Sequence, residues 1–337
     1  APICALPTAM TSSVKERSGF MTVGTVGGSL AAALATVFLV PYAENNGYLK
    51  AAIIVAVVSF LAMSLISLFG KERYKVKEEV LEKPASLRDT WEYLIHNKYL
   101  LYFYAYRMIS GSIAVSMLIY VAKYCLGDVK YMSMVVAISV IPICILFLFS
   151  GKIFKRFDKI VVYRFCMIAT ILMNAITLFV GYQNRTLAIA CLVVIAVLAI
   201  LPSILMGAIP QDCVEYGTYK TETRKEGITF ALQTFANKLT AAVATIITGG
   251  VLTFVGYDVA AEKAATEAHK VVEIAVSQAT VSGMWKASFI VPIIGQLLAI
   301  GFLFAYNLRD KDVQIMSDCN AGKITKAEAE ALLSRKY

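Results

Sequence analysis

Lys238 and Arg107 have the most chemistry to offer, because each is a cation set inside an apolar run. Lys238 stands ten residues into the run that starts at Ile228, and Arg107 stands nine residues after Lys98. At about 1.5 Å of rise per residue, both lie roughly 13–15 Å deep if the runs are membrane-crossing helices. A charge at that depth costs about 3 kcal/mol or more unless it meets a polar cavity or a counter-charge. No acid occupies a comparable depth in the runs present, so Lys238 reads as a contact for a polar solute or a coupling ion. Pairing with a buried acid on another helix is the alternative that involves packing alone.

The neighbours of Lys238 suit a hydroxyl-rich ligand. Gln233, Asn237 and Ala241 follow an i, i+4 course, and Thr234 runs beside them with Lys238. Amide, hydroxyl and ammonium groups on one face supply the donors and acceptors that a buried polyol needs. Phe230, Leu232, Phe235 and Leu239 supply apolar surface elsewhere on the same helix. Arg107 is flanked by Tyr102, Tyr104 and Tyr106, which suits a sugar face or an anionic substrate group. Cation–π packing or snorkelling toward the nearer membrane surface would use the same residues.

The elements that carry these side chains follow from composition. Of 337 residues, 58% are hydrophobic and only 16% charged, with a mean hydropathy of +0.68. That excess has to face something other than water. Apolar runs long enough to span a bilayer as helix fall at 19–42, 48–70, 99–126, 130–151, 160–182, 186–210, 228–256 and 282–307. The alternation of a membrane β-barrel is absent. The expected fold is therefore an all-α, polytopic membrane protein.

Charge sets the expected orientation. If 71–98 is cytoplasmic, only Lys50, Lys123, Lys130, Arg185, Lys263 and Lys270 fall on the opposite side, and Arg107, Lys238 and Lys286 fall within spans. The remaining Lys and Arg share the side of 71–98 and the C-terminal tail, which places the C-terminus in the cytoplasm of a plasma (inner) membrane protein. The net charge of +9 then reflects topology and not nucleic-acid binding. Seven cysteines without metal spacing and two histidines, His96 and His269, leave no metal site or cofactor to expect.

The polar segment 71–98 divides the spans, with six after it and two before it. A transporter of two six-helix halves would carry this linker between them, and the chain would then begin near the end of a fourth helix, without the first three. The expected units are a remnant of the first half at 1–70, the linker at 71–98, a six-helix half at 99–307 and a tail at 308–337. "SLRDTWEYLIHN" in the linker suits an amphipathic surface helix with Leu87, Trp91 and Leu94 on its apolar side. The 257–281 segment is Ala/Glu-rich and helix-prone, on the extracytoplasmic side. The tail reads as two short helices parted at Asn320-Ala321-Gly322, with Thr325 as an N-cap. Gly24, Gly28 and Ala32 form a small-residue stripe in the first complete span, where Thr22, Thr25 and Ser29 offer hydroxyls.

A family resemblance covers nearly the whole chain. "LPTAMTSSVKERS", "YVAKYCLGD" and "QDCVEYGTYKTETRKEG" resemble motifs of the glycoside-pentoside-hexuronide:cation symporters, the melibiose permease group of the major facilitator superfamily. In the last motif Asp212, Glu215, Tyr216, Lys220, Thr221, Arg224, Glu226 and Gly227 match, while Thr218 and Glu222 replace a usual Glu and Gly. The resemblance implies a major facilitator fold with a sugar site between two halves that open alternately to each side. It implies roles near sugar and cation for Gln233, Thr234 and Lys238. Asp212, Glu215, Arg224 and Glu226, with Arg156 and Asp158 of "SGKIFKRFDKI", would form charge contacts that close the cytoplasmic side. Cys4 stands where melibiose permeases place a sugar-stacking Trp, and Thr25 where they have an Arg, so the sugar need not be an α-galactoside.

The resulting expectation is a non-enzymatic symporter of a sugar, glycoside or uronide, coupled to Na+ or H+, with lipid as its other partner. Its substrate contacts would be Gln233, Thr234, Asn237, Lys238, Arg107 and Thr25. A carrier of the same fold for a lipid or another amphiphile, or a truncated membrane protein without transport activity, is the alternative.

Overall fold

The computed structural model describes residues 31–69, 87–113, 117–222, 226–258, 276–335 and 337, together with Gly24, Gly27 and Gly28. Thr25, Arg224, the linker up to residue 86 and most of the Ala/Glu-rich segment lie outside the described residues. A π-helical stretch, Ala35–Leu39, runs into α1 (Val40–Asn46), and Gly47 turns the chain at φ 90° into α2 (Tyr48–Phe69). Then come α3 (Leu87–His96), α4 (Lys98–Ser112) and the single turn α5 (Leu118–Tyr120), which continues as π-helix over Val121–Cys125. The long helices are α6 (Lys130–Arg156), α7 (Lys159–Val180), α8 (Arg185–Leu198), α9 (Ile200–Thr221), α10 (Glu226–Phe254) and α11 (Gln278–Ala305). The tail forms α12 (Asp310–Asn320) and α13 (Lys326–Leu332).

Local chemistry sets the boundaries. Asn97, Asn184 and Ser277 each accept the backbone N–H three residues on, at 3.1–3.2 Å, which caps α4, α8 and α11. Thr325 and Glu328 form the expected capping box at α13. Pro202, with no N–H and a ring that crowds the carbonyl of Leu198, accounts for the break between α8 and α9.

Among the described residues, five helices are long and apolar enough to cross a membrane: Lys130–Arg156, Lys159–Val180, Arg185–Thr221, Gly227–Phe254 and Gln278–Ala305. Two expected spans need correction. The run at 99–126 is not one helix among the described residues, because α4 stops at Ser112, after Ser110-Gly111-Ser112, and helix resumes at Leu118. Ser and Gly are weak helix formers, and Gly111 is pressed by Thr240, whose Cγ2 would sit 2.6 Å from a methyl placed there. The run at 186–210 does not end at Pro210. That proline is accommodated inside α9, which carries Asp212 and Glu215 onward as helix to Thr221.

The bundle has two cores. One is rich in tyrosine and joins α3, α4, α7, α9, α11 and the tail through Tyr99, Phe103, Tyr106, Tyr163, Leu205, Tyr216 and Tyr306. The other lies toward the far end, around Met117, Val121, Tyr257, Met284, Trp285 and Phe289. Outside them, Phe179 is 89% exposed and Phe254 91%, with Leu148 and Ile246 also open. An apolar exterior of this extent suits lipid. The π-helical segment before α1 packs on α6, where Ser133 Oγ donates to Thr36 O at 3.1 Å.

Candidate functional site

Polar chemistry collects at two levels of the bundle. At the end where the tail docks, Asp212 on α9 accepts two hydrogen bonds from Lys159 Nζ, at 2.7 and 2.5 Å. Lys159 is the first residue of α7, and its backbone N–H donates to Asp310 Oδ2 at 3.1 Å, with Nζ 3.6 Å from Asp310 Oδ1. Only 22% of the Lys159 side chain and 13% of that of Asp212 are exposed, so this pair is far better shielded than a surface contact. Burial pushes the Asp310 carboxyl above its ordinary pKa, and the nearby Lys159 only partly offsets this.

Beside that pair α3 and the start of α4 are pinned to α9. Asn97 is fully buried, and its Nδ2 donates to Cys213 O at 2.7 Å. A methyl on Gly217 would lie 2.7 Å from Asn97 Nδ2 and 2.7 Å from Tyr93 Oη, so only glycine permits this approach. Tyr93 Oη lies 3.4 Å from Thr229 Oγ1, and Tyr104 Oη donates to Thr229 O at 3.0 Å, which draws α10 into the same knot. On α3 the outward residues are Trp91, 66% exposed, and Ile95, while Leu94 is only partly buried. The inward residues, Tyr93 and Asn97, are the ones that the expected amphipathic pattern did not mark.

The tail closes over this end. Asn320 Nδ2 donates to Glu215 O at 3.0 Å and to Glu215 Oε2 at 2.9 Å. Lys326 bonds Glu222 at 2.8 Å on the exposed rim. Glu222 holds φ 57°, a left-handed conformation that favours glycine, at the position where the resembling motif has Gly. Asp312 accepts from Ser334 N, Ser334 Oγ and Tyr337 Oη at 2.9, 2.6 and 2.5 Å. Burial raises the Asp312 pKa, but these bonds and nearby Arg309 outweigh burial and hold it below the ordinary carboxylate value.

Of the expected gate residues, Asp212 and Glu215 therefore sit in this cluster. Arg156 is exposed at the end of α6 with its guanidinium 5.8 Å from the Phe157 ring, and Asp158 precedes α7 without a side-chain capping bond. Glu226 opens α10, and Arg224 lies outside the described residues. Sequence reasoning missed Lys159, the partner of Asp212, because a lysine at the start of a span looks like a topology signal. It missed Asp310, Asn97 and Gly217 because their partners are distant in the chain.

The second level is the α10 face. Gln233 Nε2 donates to Met206 O at 3.1 Å and so ties α10 to α9. Thr234 bonds back to Phe230 O at 3.0 Å, while Thr234, Asn237 and Lys238 are exposed on the side turned away from α4. Lys238 has no ion-pair partner among the described residues. Ala236 and Thr240 form the opposite, buried side. Arg107 on α4 is half-buried, with its Nε unpartnered among the described residues. The described residues hold no group of three or more His, Cys, Asp or Glu placed to bind a metal.

Comparison with known proteins places this geometry. A family model described as MFS/sugar transport protein matches residues 1–310. A protein of Escherichia coli K12 named for sulfoquinovose import is 26% identical over 312 residues, which cover 90% of this chain and 64% of that relative. One of Salmonella typhimurium LT2 named for export of 2,3-dihydroxypropane-1-sulfonate is 26% identical over 335 residues, 95% of this chain and 69% of the relative. An uncharacterized symporter of Bacillus subtilis 168 is 27% identical over 266 residues, 76% of this chain and 57% of the relative. The chain thus spans under two thirds of the first of these relatives.

Proposed function

This chain belongs to the MFS/sugar transport protein family, and on that premise we propose that it works in cation-coupled symport of a sugar, glycoside or uronide. It is an integral membrane protein and not an enzyme. The observation that carries the proposal is the exposed Thr234–Asn237–Lys238 face on a membrane-crossing helix. In lipid that face would be costly, whereas as a cavity wall it supplies donors to a hydroxyl-rich solute. Gln233, Thr234, Asn237 and Lys238 are assigned to the solute and its coupling ion, with Thr25 and Arg107 as further contacts.

The second part of the reading is the gate. Asp212 and Glu215, joined by Arg224, Glu226, Arg156 and Asp158, hold the cytoplasmic side closed in one state and release it in the other. Lys159 joins that set because it already holds Asp212. In this assignment 1–70 belongs to one half of the transporter, 71–98 is the linker and 99–307 the other half, with the 308–337 tail in the cytoplasm. Two relatives named for sulfonated compounds support a small polar solute, and one named as a symporter supports coupling.

The test is uptake by cells expressing the full-length protein. Accumulation of a glycoside or sugar acid that collapses when Na+ and the proton gradient are both removed supports the reading. Uptake indifferent to both would sink the coupling, and unchanged affinity for solute and coupling ion in the Lys238→Ala variant would sink the site.

A further inference from the structure

α6 ends in cations that the fold leaves unpaired. Lys152, Lys155 and Arg156 are exposed in its last turns, and none has an ion pair or hydrogen bond among the described residues. α7, which follows at once, uses its cations differently. Lys159 holds Asp212 and Asp310, and Arg164 donates to Leu303 O, Phe304 O, Tyr306 O and Asn307 Oδ1 at the end of α11. Asp158, the nearest acid along the chain, is partly buried between the two sets.

The surface beside the unpaired cations is apolar. Ile141, Ile145, Leu148, Lys152 and Arg156 follow one another in steps of three or four residues and so share one stripe of α6. Leu148 is 79% exposed, and Ile141 and Ile145 are open as well. Phe149 and Phe157, both exposed, flank the basic end: Lys152 Nζ lies 5.2 Å from the centre of one ring and the Arg156 guanidinium 5.8 Å from the other. With 27 residues, α6 is about 40 Å long, against roughly 30 Å of hydrocarbon. Its last turns therefore reach the headgroup layer, and there the stripe changes from aliphatic to basic.

We propose that this stripe binds an anionic phospholipid, with the phosphate at Lys152 and Arg156 and the acyl chains along Leu148, Ile145 and Ile141. Charge selects the headgroup: cations with no paired acid among the described residues attract a net negative lipid, whereas a zwitterionic one brings its own cation. The chains have a place because the stripe continues the open apolar exterior of the bundle. Arg156 stands off the Asp212 cluster here, so a lipid that holds it competes with its use in the gate. The inference needs only that α6 crosses the membrane and does not rest on the transport reading.

The test titrates phosphatidylglycerol or phosphatidylcholine into the purified full-length protein in a non-ionic detergent while thermal unfolding is followed. Phosphatidylglycerol is expected to raise the unfolding temperature at concentrations where phosphatidylcholine and free glycerol phosphate do not. Its half-saturating concentration should rise about fivefold in Lys152→Gln or Arg156→Gln and about thirtyfold in the double variant. Arg156→Lys, which keeps the charge, should keep most of the response. Lys323→Gln, whose cation pairs with Asp318 on the tail, should keep all of it. An unchanged response in the double variant overturns the proposal, as would follow if another part of the full-length protein or a second copy covered the stripe. Equal stabilisation by phosphatidylcholine or by free glycerol phosphate also overturns it, as does no response to either lipid.

Discussion

The two polar levels of this bundle differ in how they are satisfied. At the tail-docked end, charges and amides are paired at bonding distance: Lys159 with Asp212 and Asp310, Asn97 with Cys213 O, Asn320 with Glu215. On α10 and at Arg107, cationic groups and a hydroxyl stand without partners among the described residues. Both levels contain costly groups; the ionic groups named at the first are paired within the fold, although Tyr219 Oη there is buried without a partner, whereas Lys238, Arg107 Nε and Thr240 Oγ1 of the second have no partner among the described residues. On the function proposed above, the paired groups fix a conformation and the unpaired ones receive the solute. Mutation should therefore affect the two levels in opposite ways, with stability lost at one and transport at the other.

The largest effect on stability is expected from Lys159→Met, which leaves Asp212 buried without its cation. About 3 kcal/mol should be lost in thermal unfolding, and the double variant Lys159→Met with Asp212→Leu should recover much of it. A single-variant loss near zero would mean that this end is not held by the pair. Gly217→Ala comes next, at about 1–3 kcal/mol, because the methyl would meet Asn97 and Tyr93. Gly207→Ala on the same helix has open space around it and serves as the near-neutral control.

On the other level, Lys238→Gln should cost less than about 0.5 kcal/mol in unfolding while sharply lowering solute accumulation. Equal losses in both assays would erase the distinction between the levels. The smallest expected effect is a gain: Glu222→Gly should raise the unfolding temperature slightly, since relief of the φ 57° backbone competes only with an exposed pair to Lys326. A fall in that temperature would show that the tail contact matters more than the backbone.

What could be read in the sequence divides along the same line. Apolar runs of bilayer length, the Thr325 cap and the two tail helices were legible because each depends on neighbours within a few residues. The position of Lys238 in its run is also a local signal, and it is what singles out the α10 face for the proposed solute contacts. The break after Ser112 and the continuation of α9 past Pro210 were not legible, because packing against Thr240 overrode one pattern and a tolerated proline the other. Lys159, Asp310, Asn97 and Gly217 stayed hidden for a related reason. Each acquires its meaning from a partner brought close only by the fold, and a lysine or an asparagine at a helix start reads the same whether or not such a partner exists.

The central claim, that the Lys238 side of α10 faces a solute path, is tested most directly by labelling single cysteines with a charged, water-soluble thiol reagent in membranes containing the full-length protein. Cysteines at Thr234, Asn237 and Lys238 should react and be protected by a transported sugar, while those at Phe235 and Ile246 should not react. Equal silence at all five positions, or equal reactivity without protection, would contradict it.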